Sequence, residues 1–200
     1  MNYLAHLVLA DNTPESLVGN LAGDFVGGLG LGEVHPSLRP GVERHRAVDR
    51  FTDSHPVTAR SRARLQARWR LFSGVLVDVF YDHFLARDFE RLAGEPLARF
   101  AGRVYAALQS QAAVLPPRLA KAAPVMIRHD WLAAYAELDG VAVILGRMAR
   151  RTRRGAELAR AAEDLRDHYA ALAADFNEFF PQLWQQFRPD TGPAGIRAPF

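Results

Sequence analysis

One segment constrains the fold more than any other. From Leu71 to Leu85 the sequence LFSGVLVDVFYDHFL is apolar around most of a helix's circumference, which marks an element buried on nearly all sides. Asp78, Asp82 and His83 lie inside it. Asp78 and Asp82 are four residues apart, so they project from one face, one turn apart. An unpaired buried carboxylate costs roughly several kcal/mol, even after its surroundings relax. Arginine partners, protonation or a metal ion must neutralise these groups, and the residues alone leave arginine and metal equally open.

Two further segments repeat the pattern. In ERHRAVDRFTD, the residues His45, Asp49 and Asp53 form a polar stripe at a spacing of four, with Ala47, Val48 and Phe51 on the apolar side. In VGNLAGDFVGG, Asn20 and Asp24 are again four apart, and Gly19, Ala22 and Gly23 permit close approach of a backbone or a substrate. Asp24 near a helix C-terminus opposes the macrodipole and needs compensation. Taken singly, the first is a solvated face paired to Arg46 and Arg50, and the second a tight helix crossing. Together, three helices each present His or carboxylate at i, i+4. Oxygen and nitrogen donors without thiolate suit manganese, magnesium or iron rather than structural zinc. Helical bundles assemble such sites from facing helices, and water activated there attacks phosphorus esters.

The rest of the chain supports an all-α fold. Periodicity is helical almost throughout, without alternation joined to a hairpin signal. Helices are expected from Tyr3 to Ala10, from Thr13-Pro14 to about Val26, and from Pro40 to Ser54. Others follow from Pro56, over Leu71–Phe89, over Leu97–Val114, and over Val141–Arg151. Pro116-Pro117 and Pro124 bound two short segments, Trp131–Leu138 forms another, and a long helix opens at Gly155 and ends near Phe187. The glycine-rich GGLGLGEVHP is a loop, because no strand precedes it. Residues 1–187 then form one helical domain, and residues 188–200 an irregular tail rich in Pro and Gly. No run of 18 uncharged apolar residues is present, which excludes a spanning helix. The segment MNYLAHLVLADN lacks the features of a signal peptide. The sequence has 0 cysteines, which excludes disulfides, zinc–thiolate sites, iron–sulfur clusters and thiol nucleophiles. The cytoplasm is the expected compartment.

The blocks MNYLAHLVLA, GNLAGDFV, HRAVDRFTDSHP, DVFYDHFLARDF, WLAAY and the residues from Asp167 to Leu172 occur in that order. In them the chain resembles the acyl carrier protein phosphodiesterases, relatives of the HD-domain metal-dependent phosphohydrolases. The resemblance implies an HD-like helical bundle that removes the 4′-phosphopantetheine arm from holo acyl carrier protein with a divalent ion, typically Mn²⁺, with Mg²⁺ or Fe²⁺ as alternatives. The family's motif positions fall on His6, Asn20, Asp24, His45, Arg46, Asp49, Asp53, Asp78, Asp82 and His83. The HD doublet is reversed here, as Asp82-His83. On this basis Asp24, His45, Asp49, Asp82 and His83 are the expected metal ligands. Asp78 and Arg46 are the expected catalytic groups, Asp78 as a ligand, as a partner orienting His83 or as a general acid for the leaving serine alkoxide, and Arg46 on a phosphate oxygen. His6, Asn20 and Asp53 are expected to bind substrate or support the ligands.

Basic residues number 25 against 22 acidic, for a net charge of +3, and Lys121 is the sole lysine. The clusters containing Arg60, Arg64 and Arg68, and Arg147, Arg150 and Arg151, are either solvated faces or a docking surface for the acidic carrier protein. The charge balance is a weak footprint for nucleic acid, and neither nucleic acid nor membrane is an expected partner. Two other readings are an HD-like phosphohydrolase for a nucleotide or other small phosphodiester, and a non-enzymatic helical module whose carboxylates are paired to arginine.

Overall fold

The computed structural model describes residues 1–149, 158 and 160–189, and no strand occurs among them. The helices are α1 (Tyr3–Val8), α2 (Pro14–Ala22), α3 (Arg39–Ser54), α4 (Pro56–Trp69), α5 (Ser73–Arg87), α6 (Phe89–Ala93), α7 (Leu97–Ser110), α8 (Pro117–Arg128), α9 (Leu138–Ala149), α10 (Ala161–Asp167) and α11 (Tyr169–Phe187). None of them is long and apolar enough to cross a membrane. Helix α5 is the central rod. Leu76, Val77 and every residue from Val79 to Ala86 are buried, and it packs on α1, α4, α11 and the 3₁₀ turn Ala133–Ala136.

Local chemistry explains most element ends. The Thr13 side chain accepts the Ser16 N–H, with Pro14 opening α2, the pairing anticipated for a capped start. His55 ends α3 in an extended conformation, and its Nδ1 accepts the Val57 N–H that opens α4. Several expected elements differ from the structure. The Leu71–Phe89 helix is cut at both ends, by the turn Arg70–Phe72 and by Asp88. Pro124 does not divide its segment but sits inside α8, on an exposed position where one missing donor is tolerated. The long C-terminal helix is broken at His168 into α10 and α11. Gly155, Arg150, Arg151 and residues 190–200 lie outside the described residues.

Two contacts fix the frame around the interior carboxylates. Helices α2 and α3 touch backbone to backbone: a Cβ on Gly41 would stand 2.6 Å from the Asn20 nitrogen, and one on Gly19 2.6 Å from the Leu38 carbonyl oxygen. On the far side, buried Asp175 of α11 accepts hydrogen bonds from Arg60 Nε (2.7 Å), Arg64 Nε (3.1 Å) and Ser61 Oγ (2.8 Å) of α4. Arg68 reaches Asp164 of α10 at 3.0 Å.

The glycine contacts yield a paired prediction. Gly41→Ala should destabilise the protein by about 1–3 kcal/mol or more, because rigid backbone must move. Gly102→Ala, in α7 with nothing within 4 Å of the added Cβ, should stabilise it by about 0.5–1 kcal/mol. Urea unfolding of both variants checks this, and equal effects of the same sign would contradict the close crossing.

Candidate metal centre

Every residue of α1 is buried. Such a short helix is marginal unless its free N–H groups are satisfied. The Asn2 side chain accepts the Tyr3 N–H at 3.0 Å, and Asp82 of α5 accepts those of Leu4 (2.6 Å) and Ala5 (3.2 Å). Asp82 is therefore the strut that seats α1 on the central helix. Burial raises its carboxyl to about 7, against the two amide bonds.

The seating of α1 brings His6 against α3. The His6 and His45 rings stack, with centroids 3.7 Å apart. Nε2 of each lies 3.1 Å from a different oxygen of Asp49. His45 Nδ1 donates to the Asn20 carbonyl at 2.9 Å. Gly23 makes room for this ring: a Cβ there would stand 2.2 Å from His45 Cγ. The Met1 ammonium lies 2.9 Å from Asp78 and 3.8 Å from Asp49, and the Met1 carbonyl oxygen 3.2 Å from His6 Nε2.

The charges in this cluster are coupled. Burial pushes the His6 imidazole down to about 3, helped by the charge of His45, although Asp49 pulls the other way. Burial also opposes charge on His45, but the Asp49 hydrogen bond and the charges of Asp24 and Asp49 overcome it and raise this imidazole. Asp49 is held far below the usual carboxylate range: hydrogen bonds from His45 and His6 outweigh its burial. Asp24 reaches solvent, yet it is crowded enough by surrounding protein that its carboxyl rises to about 6, with Asp49 adding to the effect against His45. Burial likewise raises Asp78, against the Met1 ammonium.

The donor set fits a divalent ion. One ligand atom from each of His6, His45 and Asp49 lies within 4.8 Å of the others. Two ligands at right angles, each ~2.1 Å from an ion, would be ~3.0 Å apart, close to the 3.1 Å separations seen here. The His45 Nδ1 bond to Asn20 leaves Nε2 to face the ion once its proton is lost, the usual outer-partner arrangement for a ligating imidazole. His6 Nδ1 has no hydrogen-bond partner among the described residues.

The expected residues therefore divide. His45 and Asp49 are brought together, and His6 joins them instead of serving only as support. Asn20 contributes through its backbone carbonyl. Asp24 and Asp78 belong to the same electrostatic group. Two of the expected ligands have other partners in the fold. Asp82 spends its oxygens on amides, and His83 turns away: its Nδ1 is 2.8 Å from the Tyr135 carbonyl oxygen and its Nε2 3.0 Å from the Tyr169 hydroxyl. Asp53 is exposed beside Arg62, and Arg46 is exposed on α3. Among the described residues no arginine forms an ion pair with Asp24, Asp49, Asp78 or Asp82. Arg60, Arg64 and Arg68 serve Asp175 and Asp164 instead. Arg147 lies over the Trp131 ring. Sequence reasoning placed His6 among the substrate-binding or supporting residues and not among the ligands, and the missed signal was that a wholly buried imidazole requires polar partners.

Residues 1–183 match the family model described as acyl carrier protein phosphodiesterase. The chain is 38% identical over 189 residues to the acyl carrier protein phosphodiesterase of Serratia proteamaculans, covering 93% of this chain and 97% of that protein. It is 35% identical to the protein so named from Yersinia enterocolitica (93% and 97% covered) and 32% identical to that from Photorhabdus laumondii (93% and 94%). No solved structure matches.

The shared carboxylate predicts the titration of the two rings. His45 is raised above 6.5 in the fold, so it contributes stability below 6.5 that is lost as pH rises through its folded value. His6 at about 3 contributes stability above 6.5 that is lost as pH falls towards 3. In imidazole NMR of the metal-free protein, His45 should titrate above 6.5 and His6 far below it. Asp49→Asn should bring His45 down. Coincident titration of both rings near 6.5 would contradict the geometry.

Proposed function

The chain belongs to the acyl carrier protein phosphodiesterase family, and we propose that it hydrolyses the phosphodiester joining the 4′-phosphopantetheine arm to the serine of holo acyl carrier protein. Water adds to phosphorus, the bond to the serine oxygen breaks, and that oxygen takes a proton to give apo carrier protein. The observation that carries the reading is the convergence of His6, His45 and Asp49 within 4.8 Å, inside a chain that matches the family from residue 1 to residue 183.

His6, His45 and Asp49 would hold a divalent ion, Mn²⁺ by first choice from the oxygen and nitrogen donors, with Asp24 available from the solvent side. The ion supplies positive charge that polarises a phosphoryl oxygen and acidifies water. The chain's own groups do the rest. Asn20 orients His45 through Nδ1. Asp78, whose carboxyl is raised by burial, is suited to give a proton to the departing serine oxygen. Arg46, next to His45 in the chain and exposed, holds a phosphate oxygen. Arg46 and Arg50 make no ion pair among the described residues, so their charge is available to an acidic partner. That of Arg60, Arg64 and Arg68 is already shared with the chain's own carboxylates. The compartment we assign is the bacterial cytoplasm.

Intact-protein mass spectrometry tests the proposal. Holo carrier protein incubated with enzyme and Mn²⁺ should lose the mass of the arm. EDTA should stop the loss, and added Mn²⁺ restore it. His6→Ala, His45→Ala and Asp49→Ala should each reduce turnover more than about 100-fold, beyond the effect of an outer-sphere partner, with helical content retained. An unchanged holo protein with Mn²⁺, Mg²⁺ and Fe²⁺ would overturn the reading. Cleavage of small phosphodiesters alone would favour the nucleotide-type hydrolase.

A further inference from the structure

Beside the ion-binding cluster lies a narrow recess lined by Tyr3, Trp131, Tyr135, Ile144, Arg147 and Met148, about 340 Å³ with the solvent at its mouth included. Its walls are mostly aromatic and aliphatic. Three of its lining side chains nevertheless carry a buried polar atom with no hydrogen-bond partner among the described residues: Trp131 Nε1, the Tyr135 hydroxyl and a terminal nitrogen of Arg147. All three can donate, and Trp and Arg can only donate. A buried donor left unpaired costs about 1–3 kcal/mol, and each such group in a native protein calls for an explanation. The Arg147 guanidinium is held over the Trp131 ring, 5.0 Å from its centroid.

The recess adjoins the cluster. Tyr3 follows Met1 by two residues, and its ring stacks on Phe25 at 5.8 Å and on Trp131 at 6.4 Å. Phe25 is the residue after Asp24. Burial, with the nearby charges of Asp82, Asp24 and Asp78, raises the Tyr135 phenol, which keeps its proton and stays a donor.

We propose that this recess receives the pantetheine arm, whose amide carbonyls accept hydrogen bonds from Trp131, Tyr135 and Arg147 while its methylene and methyl groups lie against Tyr3, Ile144 and Met148. The proposal rests on the carrier-protein reading above and adds the place where the arm binds. The chemistry selects the occupant. A plain hydrocarbon chain leaves the donors unpaired. A free phosphate brings acceptors but meets apolar walls. A flexible arm with amides separated by short apolar links satisfies both. With the phosphate at the cluster and the arm in the recess, the carrier serine is left on the solvent side.

Two experiments test the placement. Ile144→Trp fills the recess and should raise KM for holo carrier protein about 10-fold, with inhibition by apo carrier protein within about twofold of wild type. Tyr135→Phe preserves shape and removes one donor, Trp131→Phe removes the Nε1 donor together with part of the ring, and each should raise KM about 2- to 10-fold. The second experiment needs no variant. Carrier protein whose arm thiol bears a diazirine, irradiated with EDTA-treated wild-type enzyme, should label Ile144 or Met148. Unchanged KM in the two phenylalanine variants, or labelling confined to other residues, would overturn the placement while wild-type turnover leaves the function standing. A wild type that neither binds nor cleaves holo carrier protein would overturn the function and the placement together.

Discussion

The site depends on one carboxylate shared by two stacked imidazoles. Asp49 offers one oxygen to His6 and the other to His45. Two imidazolium rings in face-to-face contact would repel one another, so burial and mutual charge drive the pair apart, His6 towards neutrality and His45 towards protonation. The rest of the local structure brings these three groups together. Asp82 caps α1 and so seats His6. Gly19 and Gly41 let α2 and α3 touch, which puts the Asn20 carbonyl at His45 Nδ1. Gly23 leaves space for the ring. None of these supports belongs to the His6, His45 and Asp49 cluster itself, yet each sets the position of one of its members.

The fold class was legible in the sequence because periodicity and capping residues are local. Thr13-Pro14 and His55-Pro56 act within a turn of themselves. The closeness of His45 and Asp49 on α3 was legible for the same reason, since i, i+4 spacing places them on one face without knowledge of the partner. What was not legible depends on neighbours distant in sequence. Asp82 and His83 are adjacent in the chain but about 100° apart around a helix that is buried on all sides. Only the packing shows that one faces α1 and the other faces Tyr135 and Tyr169. His6 was expected only to bind substrate or support the ligands, because its place in the cluster exists only once α3 is in position.

The arginines show how composition alone can mislead. A run on one helix suggested an outward-facing basic surface. In the fold, Arg60 and Arg64 converge on the buried Asp175 and tie α4 to α11, with Ser61 and Tyr81 completing the network. Their charge serves the bundle first. The unmatched donors lie elsewhere, on Trp131, Tyr135 and Arg147, where apolar walls and a charged neighbourhood meet. The WLAAY block that supplies two of them stood out in the sequence only as a resemblance.

The central claim is that His6, His45 and Asp49 hold the ion. Anomalous diffraction at the manganese edge, from crystals grown with Mn²⁺, tests it most directly. The account predicts a peak within about 2.0–2.3 Å of an imidazole nitrogen from each histidine and an oxygen of Asp49. A manganese peak on Asp82 and His83, with His6, His45 and Asp49 still bonded only to one another, would contradict it.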